Sequence, residues 1–170
     1  KWLVQKGELS FSSRSDSITL WSFYLPKNAE LWRNSIEYLH DSGYWFSRYF
    51  GDYPYNHITA VDGDLSAGGG MEYPNITVIA SMPSKHLLEL VIMHEVGHNW
   101  FFGQVGNNET YRALLDEGFA QFLTAWALIK IDGENLVTSK PHSKYKKKYL
   151  NRIKAIDSRV YYSYINDATK

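Results

Sequence analysis

The chain contains no cysteine among its 170 residues. Disulfide bonds and thiolate ligands are therefore excluded, so any metal ion must be bound by histidine, aspartate or glutamate. An excess of charge is also absent, because 18 basic residues balance 18 acidic ones. Since binding to phosphates usually requires concentrated cations, this balance argues against a nucleic acid partner.

Long apolar runs are missing as well. No run approaches the roughly 18 apolar residues of a membrane-spanning helix, so no membrane span is predicted. No signal peptide is recognisable and the chain begins at Lys1 rather than Met. We therefore expect it to be part of a longer parent chain, and the remainder of that parent chain to be one of its partners. Periplasmic, extracellular and cytoplasmic locations stay open. The 44% of hydrophobic residues are sufficient for one folded domain.

The hydrophobic pattern predicts an α+β organisation. Alternating apolar residues predict strands at 9–11, 18–24, 57–61 and 71–80. Helical periodicity predicts helices at 26–50, 84–102, 111–129 and 143–156. Pro74 interrupts the last strand, and proline is confined to the edges of sheets, so this segment is expected to be an edge strand.

A candidate metal site lies in two of these helices. His94 and His98 are four residues apart, so both imidazoles project from one face of a helix and can bind one cation. Glu95 points to the side of this pair, where a carboxylate can deprotonate a metal-bound water. Glu117, from the next helix, would complete a His2Glu ligand set and leave the fourth position open, as in catalytic zinc sites. This pattern predicts a hydrolase that uses one Zn²⁺ ion.

A second candidate region precedes the histidines. Three consecutive glycines, among them Gly69 and Gly70, allow another backbone to approach closely, and an edge strand offers hydrogen bonds to an extended peptide. Glu72 would face the end of that peptide. A carboxylate beside the metal can pair with a free α-ammonium group, which would favour cleavage of the first residue. A plain flexible turn is the alternative interpretation.

Together these motifs resemble the gluzincin aminopeptidases, the family of aminopeptidase N and leukotriene hydrolase. The resemblance rests on Gly70-Met71-Glu72, on His94-Glu95-x-x-His98 with an eighteen-residue spacer to Glu117, and on Asp116-Glu117-Gly118-Phe119-Ala120. The segments 50–55 and 98–101 are similar to family segments too. The resemblance implies a thermolysin-like catalytic domain, in which a small mixed sheet with an edge strand packs on a helical bundle that carries the zinc site.

The resemblance also implies roles for individual residues. His94, His98 and Glu117 would bind zinc, Glu95 would be the general base and then pass its proton to the leaving amine, and Glu72 would bind the free amino terminus of a peptide substrate. Gly69 and Gly70 would line the substrate channel. This sequence departs from the family at three positions next to these residues, where it has Tyr73, Asn99 and Asp116.

The resemblance further implies how the chain is divided. Residues 1–25 would be the terminal strands of a preceding β domain, and residues 26–170 the N-terminal part of a metallopeptidase domain. The family's oxyanion-stabilising tyrosine would lie about sixty residues after Glu117, past Lys170. Tyr161, Tyr162 and Tyr164 are candidates by sequence position only.

Three functional hypotheses stay open at this point. The first is a zinc aminopeptidase that acts on peptides with a free N-terminus. The second is an endopeptidase, or a hydrolase of a non-peptide substrate such as an epoxide, with the same zinc site. The third is a metal-binding or partner-binding module that is catalytically silent because the domain is incomplete.

Overall fold

The computed structural model describes residues 1–66 and 68–134. A five-stranded mixed sheet is the framework of this part of the chain. The strands are β1 (Leu3–Leu9), β2 (Ile18–Tyr24), β3 (His57–Asp62), β4 (Gly70–Met71) and β5 (Ile76–Ile79), in the spatial order β1-β2-β3-β5-β4. Strand β3 runs parallel to both of its neighbours, whereas the outer pairs β1/β2 and β4/β5 are antiparallel. The two edges of the sheet are therefore β1 and the very short β4.

Two of the helices contact the sheet, and a third packs against both of them. The helices are α1 (Ser35–Phe50), α2 (Lys85–Gly97), α3 (Glu109–Arg112) and α4 (Phe119–Glu134), and a π-helix at Leu114–Gly118 precedes α4. Helix α1 lies against β1, β2 and β3, while α2 contacts β5, β4, α1 and α4. The core between these layers is apolar, and its fully buried side chains include Leu9, Ile18, Leu20, Trp32, Leu39, Phe46, Ile58, Ile79, Leu88 and Ile92. The predicted α+β class, with an edge strand beside a helical bundle, is confirmed.

The predicted strand at 71–80 is wrong in one respect, because the segment forms a hairpin. Strand β4 ends at Met71, and β5 begins at Ile76 as an interior strand between β3 and β4. A turn separates them, closed by the hydrogen bond from the Ile76 amide to the Tyr73 carbonyl, at 3.0 Å. Pro74 has no amide to give to a ladder, and Asn75 adopts the left-handed conformation with φ 66°, so the chain reverses there.

Three helix boundaries also differ from the sequence prediction. The segment 26–50 begins with a 3-10 turn at Pro26–Asn28, and the α-helix starts only at Ser35. Helix α2 ends at Gly97 rather than near residue 102, because the chain turns after it and Phe102 has a positive φ of 101°. The segment 111–129 is divided by the π-helix, which apolar periodicity does not reveal.

The predicted boundary at residue 25 stays a prediction. Strands β1 and β2 lie before it, yet they belong to the same sheet as β3, to which β2 is hydrogen-bonded in parallel from Thr19 to Phe23. The predicted helix 143–156 and Tyr161, Tyr162 and Tyr164 lie outside the described residues. In the part of the chain that the structure describes, no helix combines the length and apolar character needed to span a membrane.

Two adjacent leucines of α2 test the packing of this helix on the sheet. Leu88 is 0% exposed and belongs to the core, whereas Leu87 is 36% exposed. We expect Leu88→Ala to lower the free energy of unfolding by about 2–5 kcal/mol, because it removes buried methyl groups and leaves a cavity. The matched variant Leu87→Ala should cost less than about 1 kcal/mol. Urea denaturation measures both values, and equal losses would contradict the orientation of α2.

Candidate metal centre and active site

Helix α2 brings the first two candidate residues to the cleft. The side chain of Ser84 accepts a hydrogen bond from the Leu87 amide at 3.2 Å, so Ser84 caps the helix N-terminus. His94 and Glu95 lie in the last turn of this helix. Glu95 is 6% exposed and His94 is partly buried, so both side chains are held among packed neighbours.

His98 lies one residue beyond the end of α2 but keeps helical geometry. Its φ of −64° and ψ of −17° continue the turn, so its imidazole still follows that of His94 on the same face. The two Nε2 atoms are 3.4 Å apart. His98 is 1% exposed, and its Nδ1 lies 3.3 Å from the carbonyl oxygen of Phe101. Such a carbonyl fixes the ring and leaves Nε2 free as a metal ligand.

Glu117 comes from the π-helix at Leu114–Gly118. Its amide donates to the Ala113 carbonyl at 2.9 Å and to Oδ1 of Asp116 at 2.8 Å. Asp116 is itself buried, and its carboxylate stabilises the turn by accepting this hydrogen bond. Single π turns are rare in proteins and occur frequently at functional sites. Here the π turn contains Glu117, the glutamate that faces the two histidines.

The three predicted ligands meet in space. Nε2 of His94 lies 3.1 Å from Oε2 of Glu117, and Nε2 of His98 lies 3.9 Å from Oε1 of Glu117. With metal–ligand bonds of about 2.1 Å in a tetrahedron, neighbouring ligand atoms are about 3.4 Å apart. The distances of 3.1, 3.4 and 3.9 Å bracket this value. The donor set therefore fits one zinc ion.

The charges at this cluster influence each other. Burial lowers the pKa of His94, but the hydrogen bond that it donates to Glu117 and the nearby carboxylates outweigh it, so the pKa is raised overall. Burial lowers the pKa of His98, and repulsion from His94 lowers it further. The hydrogen bond with His94 lowers the pKa of Glu117. A neutral His98 and an ionised Glu117 are the forms that bind a cation.

The carboxyl group of Glu95 is enclosed by the edge strand. A Cβ atom built on Gly70 would collide with Cγ, Cδ and Oε1 of Glu95, so only glycine allows β4 to pass so close to this carboxyl group. Burial raises the pKa of Glu95 to about 7, with smaller contributions from the Glu72 and Glu117 carboxylates. The edge strand and the metal helix are thus in direct contact at Glu95.

Glu72 precedes the histidines in the sequence whereas Glu117 follows them, but both carboxylates lie near His98. One ligand atom each from Glu72, Glu95 and His98 lie within 4.8 Å of one another. His98 belongs to this group and also to the group of His94, His98 and Glu117, which meets the same distance limit. Two overlapping donor sets therefore exist among the described residues, and only the set of His94, His98 and Glu117 contains two imidazoles.

Gly69 and Gly70, which are predicted to line the substrate channel, differ in their surroundings. Gly70 contacts Glu95, whereas a Cβ on Gly69 would meet nothing within 4 Å. Gly69 has a positive φ of 71°, and its carbonyl accepts a hydrogen bond from the Ala80 amide at 2.9 Å. Its lack of a side chain is therefore needed for the turn into β4, and its role in lining a channel stays a prediction.

Two features of the site were missed by sequence reasoning. The first is the π turn that contains Glu117, which the apolar periodicity does not indicate. The second is the contact between Asn99 and the turn after Glu72, in which Oδ1 of Asn99 accepts the Asn75 amide at 2.9 Å. The only sign of this contact in the sequence is that a short polar residue, Asn99, directly precedes the aromatic segment 100–102.

The family model of the peptidase family M1 domain matches residues 43–168 of the chain. The chain belongs to peptidase family M1. This match confirms the resemblance drawn from the motifs, since M1 is a family of zinc metallopeptidases. No curated protein matches the chain by sequence.

Solved structures share the fold of this M1 chain. It is similar to an M1 zinc metallopeptidase from Deinococcus radiodurans, with 19% identity and a TM-score of 0.53 over 78% of this chain and 29% of that one. It is also similar to Legionella pneumophila aminopeptidase A in complex with aspartic acid, with 15% identity and a TM-score of 0.62 over 76% of this chain and 16% of that one. The chain thus spans less than a third of the length of these structures.

Removal of a single carboxylate distinguishes the two overlapping donor sets. We expect Glu117→Gln to weaken zinc binding by at least about hundredfold, because an ionised ligand is lost from the His2Glu set. The matched variant Glu72→Gln should bind zinc with nearly unchanged affinity. Titration of the metal-free protein with Zn²⁺ in a calorimeter measures both. The opposite order would assign the metal to Glu72, Glu95 and His98.

Proposed function

We propose that the protein is a zinc aminopeptidase that hydrolyses the first peptide bond of its substrates. The observation that carries the proposal is the convergence of His94, His98 and Glu117 at distances of 3.1 to 3.9 Å, next to the buried carboxyl group of Glu95. Membership of peptidase family M1 supports peptides as the substrate class.

Each residue of the cluster has a distinct task in this proposal. His94, His98 and Glu117 hold the metal, and the Phe101 carbonyl keeps the ring of His98 in the orientation that binds it. A zinc ion in such a site supplies Lewis acidity and lowers the pKa of water. Glu95 accepts the proton from the attacking water and later gives it to the amine that leaves when the peptide bond breaks.

The edge strand supports the choice of an extended peptide as substrate. Strand β4 has β5 on one side, and its other side is a sheet edge that can pair with a peptide backbone. Glu72 follows β4 directly, with its carboxylate near those of the cluster. A carboxylate at that point can bind the α-ammonium group of the first residue and so exclude longer N-terminal extensions.

Two of these similar structures support the same substrate class. The Legionella pneumophila structure is of an aminopeptidase A, and a mutant of the Deinococcus radiodurans enzyme is bound to a Tyr-Ser-Ala substrate, at a TM-score of 0.54 and 18% identity. These are properties of those proteins. Their transfer to this chain is part of the proposal and depends on the cluster described above.

Glu95→Gln tests the proposed general base. Glutamine has the same shape but cannot accept the proton of the attacking water, so we expect kcat to fall by at least about 10²–10⁴-fold. Zinc affinity should stay within about twofold, because Glu95 is not in the His2Glu set. Hydrolysis of aminoacyl amides by the zinc-loaded, full-length protein measures kcat. Full turnover by the variant would contradict the role of Glu95, and no turnover by the unaltered protein would favour a silent module.

Glu72→Gln tests recognition of the amino terminus. Loss of the negative charge removes an ion pair with the substrate ammonium group, so we expect kcat/KM for a free peptide to fall by about 10–100-fold. Cleavage of the N-acetylated peptide should be equally poor before and after the substitution. If both forms of the protein cleave free and acetylated peptides alike, the activity is that of an endopeptidase.

A further inference from the structure

The side chain of Asn99 connects the two halves of the proposed active site. Asn99 directly follows His98 and is 5% exposed. Its Oδ1 accepts a hydrogen bond from the Asn75 amide at 2.9 Å, and its Nδ2 donates to the Val96 carbonyl at 3.1 Å. One end of this side chain therefore holds the end of the metal helix, while the other holds the turn that follows Glu72.

The turn at Asn75 is held by hydrogen bonds on both sides. Asn75 has a φ of 66°, in the left-handed region, which asparagine adopts more readily than most residues other than glycine. Its carbonyl accepts a hydrogen bond from the Thr59 amide of β3 at 3.0 Å, while its amide goes to Asn99. Both backbone groups of this residue are thus paired, one with the sheet and one with the segment that carries His98.

This turn determines where Glu72 lies. Only Tyr73 and Pro74 separate Glu72 from Asn75, and the Ile76 amide closes the turn on the Tyr73 carbonyl. On the other side, the Thr77 hydroxyl donates to the Met71 carbonyl at 3.2 Å. The position of Glu72 is therefore fixed from both sides, and one of the two fixed points is tied to the metal helix through Asn99.

The other side of Asn99 is packed by a glycine. A Cβ atom built on Gly103 would lie 2.7 Å from the Asn99 carbonyl oxygen and 3.0 Å from its Cα. The Gly103 amide also donates to the His98 carbonyl at 2.8 Å. This close contact holds the backbone of Asn99, while burial and the two hydrogen bonds of its amide hold the side chain.

We propose that Asn99 is a positioning residue, which sets the distance between Glu72 and the metal-binding histidines and thereby determines how well a free amino terminus is bound. The proposal rests on the proposed function, in which Glu72 binds that amino terminus. Asn99 does not touch the substrate. Its effect is transmitted through the Asn75 amide, and a displaced charge partner weakens binding strongly even when its displacement is small.

The test removes the acceptor from the Asn75 amide in the full-length protein. We expect Asn99→Ala to raise KM for a free peptide by about tenfold, with kcat and zinc affinity within about twofold, because Glu72 moves while the metal ligands stay. Hydrogen exchange of the Asn75 amide should become at least tenfold faster. Asn99→Ser, a smaller change that also withdraws the acceptor, is measured beside it and should shift KM and exchange in the same direction.

Two further variants serve as controls. Asn99→Asp keeps the oxygen that accepts the Asn75 amide, so exchange of that amide should stay slow. Asn28→Ala removes a comparable hydrogen bond, from Asn28 Nδ2 to Asp62 Oδ2 at 2.8 Å, far from the cluster in sequence. We expect it to leave KM unchanged, since a general loss of stability does not move Glu72.

The possible outcomes separate this proposal from the proposed function. Unchanged exchange at Asn75 in Asn99→Ala and Asn99→Ser, or an equal rise of KM in Asn28→Ala, would overturn the role of Asn99. A parallel loss of zinc affinity would overturn it too, because Asn99 would then support the ligands rather than Glu72. If the unaltered protein does not cleave peptides, the proposed function fails, while exchange at Asn75 still reports whether the link exists.

Discussion

The packing of α2 against its neighbours near His98 is the constraint on which the site depends. Gly97 lies at this contact, where a Cβ would be at ordinary van der Waals distance, 3.6 Å from the Phe46 ring and 3.7 Å from the Cα of Ala120. Helices α1 and α4 both pack against α2. That approach brings the π turn with Glu117 to the face of α2 that carries the histidines.

This packing also explains why charged groups are tolerated in a largely apolar bundle. Burying an ionisable group is costly unless it has a partner, and Glu95 and His98 are almost completely buried. Their partners are one another, Glu72, Glu117 and the Phe101 carbonyl. A cation at the centre would compensate the carboxylates further, which is the physical reason to regard the cluster as a metal site rather than as an ordinary ion-pair network.

Much of the site could be predicted from local sequence, because its ligands lie in motifs whose spacing reflects helix geometry. His94 and His98 require only a helical turn, and Pro74 correctly indicated an irregularity beside the sheet edge. The π turn at Glu117 could not be predicted, since its extra residue is stabilised by the buried Asp116 carboxylate. The hydrogen bond between Asn99 and Asn75 could not be predicted from the sequence either, because it joins segments whose proximity depends on the packing of α2 on the sheet.

Anomalous scattering at the zinc edge, from crystals of the zinc-loaded protein, tests the central claim most directly. The account predicts one peak at full occupancy, at about 2.0–2.2 Å from Nε2 of His94, Nε2 of His98 and a carboxylate oxygen of Glu117. Glu95 and Glu72 should lie outside bonding distance of it. A peak bound by Glu72 and Glu95, or no peak in crystals that contain zinc in the solvent, would contradict the account.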